Sequence, residues 1–132
     1  MTKKIHLFIF FFIISLFFYS CGGCGDGRKH SSNDGINNSA TLVWDAPTTN
    51  IDGSPLNDLA GYRIYYGTSS GNYATAITIS ADNANCKNIN NTIQCTYMIK
   101  HLSPGAYYFS VTAYDKDGNE SYFSNERTKT IK

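Results

Sequence analysis

Four cysteines, three histidines and ten tyrosines are the residues of this chain with most to offer chemistry. A hydrolase needs a base beside a nucleophile, held by a third group. His6 falls in an apolar N-terminal run, His30 in a Gly/Ser/Asn-rich stretch and His101 in a turn, so none has the surroundings for that work. Asp115-Lys116-Asp117-Gly118-Asn119-Glu120 begins like a calcium loop but has neither the length nor the closing bidentate Glu. A hairpin turn accounts for it. No CxxC pair lies beyond residue 38, and the only histidine there is His101, which argues against a metal site. The expectation is a chain that is not an enzyme, with no cofactor and no metal.

The cysteines are read through the N-terminus. Residues 5–19 form an apolar block preceded by Lys3 and Lys4, and six of the eight Phe lie in it. As a helix it would reach about 22 Å, short of a hydrocarbon core of roughly 30 Å. A basic start, a short apolar run and a small residue at its end make a secretory signal peptide over residues 1–20. The sequence Phe18-Tyr19-Ser20-Cys21 then resembles the lipobox of bacterial lipoproteins, with Cys24 as the alternative after Gly22-Gly23. That resemblance implies a diacylglycerol on Cys21, cleavage before it, and an anchor in the cell envelope. Phe18 departs from the Leu usual in the family. By the sorting rule of that family, the resemblance implies the outer membrane, since Gly22 follows the Cys. Each buried methylene of such an anchor contributes ~0.8 kcal/mol, so the lipid alone would hold the chain on a membrane.

Export permits disulfides. Cys86 and Cys95 flank a segment with turn residues at its centre, so a bridged hairpin is expected there. Loss of Lys3 and Lys4 leaves 9 basic residues against 10 acidic, giving no electrostatic footprint for nucleic acid. Residues 21–38 are rich in Gly, Ser and Asn and cannot offset the entropy of ordering, so they read as a tether.

Elements begin at Ser39. Alternating apolar residues predict strands over Ala40–Trp44, Tyr62–Tyr66, Tyr73–Ser80 and Thr92–Lys100. A fifth follows the Pro104-Gly105 turn with Tyr107, Phe109, Val111 and Ala113 on one face, and a last one runs over Ser121–Ile131. No stretch has helical periodicity. Six to seven short antiparallel strands with frequent turns make an all-β sandwich.

Trp44, Tyr62-x-Ile64-x-Tyr66, Leu102-x-Pro104-Gly105 with its following Tyr, and Gly118-Asn119-Glu120-Ser121 occur in an order that resembles the fibronectin type III domain. The resemblance covers residues 39–132 and implies an immunoglobulin-like Greek-key sandwich. It departs at the start, where the first strand is missing or is supplied poorly by residues near Ile36. The Arg-Gly-Asp tripeptide with which some members bind integrins is absent.

If Tyr107, Phe109, Val111 and Ala113 point inward, then Tyr108, Ser110, Thr112 and Tyr114 point to solvent. Arg63 and Tyr65 do the same on the neighbouring strand of that fold. Arg63, Tyr65, Tyr108 and Tyr114 are therefore the candidate binding face, since Tyr rings stack on sugars and anchor protein partners. Substituting Tyr65 and Tyr108 is expected to leave stability nearly unchanged. The expected function is an anchored module for adhesion, scaffolding or protein–protein contact. The alternatives are a polysaccharide-binding module and a small subunit of an envelope complex.

Overall fold

A computed structural model describes residues 38–132. The expected signal peptide, Cys21, Cys24, most of the tether and the strand sought near Ile36 lie outside the described residues.

Period-two patterning produces seven antiparallel strands. They are β1 (Ala40–Asp45), β2 (Leu59–Gly67), β3 (Thr75–Ser80), β4 (Lys87–Ile89), β5 (Thr92–Ile99), β6 (Gly105–Asp115) and β7 (Arg127–Ile131). One sheet has the order β1-β5-β4 and the other β3-β2-β6-β7. Between β3 and β4 the chain makes a single 3-10 turn at Ala81–Asn83, the one helical element among the described residues.

The inner faces meet as their alternation predicts. Ala40, Leu42 and Trp44 from β1, Tyr62 and Ile64 from β2, Cys95 and Ile99 from β5, and Phe109, Val111 and Ala113 from β6 are buried. Trp44 is 0% exposed and meets the Tyr62 ring edge-on, with centroids 5.1 Å apart. Such a pair adds about 0.5–1.5 kcal/mol beyond its buried area. Tyr107 follows the inward phase, at the edge of this core beside Tyr66 and Phe109.

The bridge between Cys86 and Cys95 is formed. The hairpin explains why the two meet. Asn90 and Asn91 both have positive φ, 51° and 66°, as a two-residue turn between β4 and β5 requires. The register Ile89↔Thr92, Asn88↔Ile93, Lys87↔Gln94, extended by one pair, puts Cys86 opposite Cys95. On its other side Cys95 stands opposite Trp44 of β1, so the bridge ties an exposed hairpin to the centre of the core.

Two expectations need correction. The last strand is shorter than Ser121–Ile131, because only Arg127–Ile131 forms a ladder with β6. The segment before it runs along β6 by another means. Ser121 Oγ accepts the Ala113 N–H at 3.0 Å, and Ser124 Oγ accepts the Val111 N–H at 2.9 Å. Two hydroxyls thus take the place of backbone carbonyls. The second correction follows. Ser110 and Thr112, expected to face solvent, are 0% and 2% exposed, because this segment lies over them.

Candidate functional site

The outer face of the four-stranded sheet holds the polar and aromatic side chains that the core does not use. β2 and β6 set its grid, with Arg63 opposite Thr112 and Tyr65 opposite Ser110. Glu120, which follows the β6 turn, reaches back over that grid. It makes an ion pair with Arg63, accepts from Tyr65 Oη at 2.7 Å and accepts from Thr112 Oγ1. The Arg63 guanidinium also stands 5.4 Å above the centre of the Tyr114 ring. Burial works to raise the Glu120 carboxyl, but the Thr112 and Tyr65 hydroxyls and the Arg63 charge outweigh it and hold it below its ordinary value.

The turn that delivers Glu120 is itself held by a carboxylate. Asp115 is buried and accepts from the Asp117 and Asn119 amides and from Asn119 Nδ2. Burial works to raise its pKa, and those hydrogen bonds lower it overall. Of the acids that resemble the start of a calcium loop, Asp115 is spent on closing this corner and Glu120 on Arg63, Tyr65 and Thr112. Among the described residues no group of three or more His, Cys, Asp or Glu could hold a metal ion.

Beyond Glu120 the two serine contacts fix the backbone while Tyr122 and Phe123 turn outward, 60% and 55% exposed. Phe123 meets Tyr65 edge-on at 4.9 Å and leans on Tyr73 at 5.5 Å. Tyr73 donates to Glu126 at 2.8 Å, and Glu126 also takes the Ser70 hydroxyl and the Gly71 amide. Burial, together with the Glu126 carboxylate, pushes the Tyr73 hydroxyl up to about 12. Tyr65, Thr112, Glu120, Ser121, Tyr122 and Phe123 line a shallow depression of ≈ 340 Å³.

Of the expected face, Arg63, Tyr65 and Tyr114 converge around Glu120 and Gly61. Tyr114 Oη reaches the Ile79 carbonyl at 3.4 Å, and a Cβ on Gly61 would strike both that oxygen and the Tyr114 ring. Tyr108 lies on the same side of the sheet but further along, opposite Gly67 and Thr128. The ring neighbours of Tyr65 are instead Tyr73 and Phe123. Sequence reasoning did not single out Glu120, Tyr73, Phe123 or Glu126 for this face. The one available signal was the pairing of an acid after the β6 turn with Arg63, and it needs the register of two strands to be seen.

The geometry has a counterpart among known proteins. A family model described as "Fibronectin type III domain" matches residues 30–130. The chain belongs to the fibronectin type III family. Such a fibronectin module is a protein-interaction and scaffold domain and is typically non-catalytic. Among solved structures, vertebrate Astrotactin-2, described as a perforin-like membrane protein involved in neuronal development, aligns with a TM-score of 0.53 and 16% identity. That alignment covers 71% of this chain and 19% of the other, so this chain spans about a fifth of that protein. The third fibronectin III domain of human KIAA0343 aligns with a TM-score of 0.42 and 20% identity, over 83% of this chain and 93% of that domain. No curated protein matches.

Proposed function

We propose that this chain is a non-catalytic, exported lipoprotein that displays its fibronectin module for protein–protein contact in adhesion or scaffolding. The anchor is a lipid on Cys21, with Cys24 as the alternative, and the location is the cell envelope on the outer-membrane side. The run Phe18-Tyr19-Ser20-Cys21 behind an apolar block supports the anchor. The observation that carries the contact is the exposed pair Tyr122–Phe123, held outward on a segment whose backbone is pinned to β6. Large aromatic side chains with little freedom to lose are the anchors that protein interfaces favour. The partner is a protein of the envelope.

Two measurements test this. Intact mass of the protein purified from membranes should show cleavage before Cys21 and the added mass of acyl chains; an unmodified Cys21 and Cys24 would reject the anchor. Tyr122→Ala with Phe123→Ala should abolish cross-linking of an envelope protein to this chain while β-type circular dichroism is retained. Partner capture that survives both substitutions would reject the contact. Binding on a glycan array that is lost with the same variants would point to a polysaccharide ligand instead.

A further inference from the structure

The two edges of the four-stranded sheet are built differently. On β7, Arg127 and Lys129 stand opposite Phe109 and Tyr107 and so point to the core side. Inward-pointing charges are a common guard against edge pairing. β3, the other edge, has no guard. From Gly71 to Ala81 there is neither a charged residue nor a proline, and Thr75, Ala76 and Thr78 are exposed.

The backbone of β3 leaves half its groups open. Ile79 turns its carbonyl toward β2, where Tyr114 Oη reaches it. Alternate residues must then turn theirs away, so Ala76, Thr78 and Ser80 present N–H and C=O groups at the rim. No backbone bond to these groups occurs outside the β2 ladder among the described residues. Water can solvate such a row, and another extended strand satisfies all of it at once.

We propose that β3 is a self-pairing edge, and that two copies of this chain join through it about a two-fold axis. The sequence Thr75-Ala-Ile-Thr-Ile-Ser80 is self-complementary in this sense. An antiparallel pair that keeps the alternation places Ile77 and Ile79 against their counterparts on the core side, and Ala76, Thr78 and Ser80 against theirs on the outer side. The two sheets become continuous, and the contact closes on itself as an isologous interface does. Its ends carry like charges. Glu126 bonds Tyr73 at the start of β3, and Asp82 follows its end, so antiparallel pairing brings the acid of one copy toward that of the other. Salt therefore tightens the contact. One strand pair buries far less than the ~1,600 Å² of a standard interface, so the dimer is a weak one.

The test is sedimentation of the full chain, purified from membranes in detergent, over a range of concentrations and ionic strengths. The expected result is a monomer–dimer equilibrium that strengthens with salt. Thr78→Lys, which restores a guard, should weaken it about tenfold or more. Thr128→Lys on the β7 edge, in the same micelles, should not. Asp82→Asn should strengthen the dimer at low salt. Thr78 stands opposite Arg63, so thermal melting must show Thr78→Lys folded under the assay conditions, and Ala76→Lys, opposite Tyr65, should weaken the dimer alike without setting two cations side by side. A chain that stays monomeric throughout, or a dimer indifferent to Thr78→Lys, overturns the proposal. So does a photo-cross-link from position 78 in intact membranes that joins a different protein in place of a second copy.

Discussion

Replacing Ser124 by Ala removes the acceptor of the Val111 amide and the hydroxyl partner of Ser110, all three of them buried. An amide left dry and unpaired costs about 1–3 kcal/mol. Ser124→Ala should lose that much stability in urea denaturation, and Ser121→Ala should behave alike through the Ala113 amide. Glu120 acts at the same scale through charge. Its pKa is depressed in the fold, so its stabilising contribution is complete above its ordinary value of 4.5 and fades as pH falls through the lower folded value. Asp115 adds to the same acid limb, from an ordinary value of 3.8 downward. Arg63 and Glu120 are partly exposed, which screens their pairing. Glu120→Gln should therefore cost about 1 kcal/mol at neutral pH and flatten the loss of stability as pH falls below 4.5. Tyr65→Ala should also destabilise, contrary to what the sequence suggested. Its hydroxyl and ring are engaged by Glu120 and Phe123.

At the scale of the element, the β4–β5 hairpin is the most local structure in the molecule. It has a two-residue turn, three paired positions and a covalent tie. Closing a loop with a sequence separation of 9 restricts the unfolded chain by about 2.5 kcal/mol in the chain-entropy account. Reduction of the bridge should lower stability by about that amount, read as a shift of the denaturation midpoint with and without a thiol. The two cysteines announced this hairpin in the sequence, because turn residues stood between them. The alternation in β1, β2 and β6 was legible for a related reason: each strand buries one face, and a slip of one residue would turn that face outward. The segment from Ser121 to Glu126 was not legible as what it is. It has the spacing of a strand and donates the Ser121 and Ser124 amides to β6 carbonyls, but it accepts from β6 through serine hydroxyls, and nothing in residue type distinguishes such a serine from a solvated one. Glu120 was hidden in the same way, since its partners are 57, 55 and 8 residues away in sequence and come together only when β2 and β6 are in register.

For the whole molecule, two tyrosines set an alkaline limit. Burial pushes Tyr62 up to about 12, and burial with the Glu126 carboxylate does the same to Tyr73, from an ordinary value of 10.0 in both. A raised folded value means that stability is complete below pH 10 and is lost as pH climbs toward 12. Phenolate absorbance should therefore rise together with unfolding across that window, and Tyr62→Phe should soften the transition. The sandwich was readable as a class because no part of the described chain competes with period-two patterning. How it uses its outer face was not, because that face is assembled from two strands, the loop before β3 and the segment after the β6 turn. The position of the one tryptophan has an optical consequence. A disulfide accepts an electron from an excited indole nearby, and Cys95 faces Trp44 across the β1–β5 pair in a dry interior. Native fluorescence should then be dim and blue, and should brighten without a red shift when the bridge is reduced in the still-folded protein. The domain would carry its own lamp for reporting the redox state of its surroundings, with no label attached.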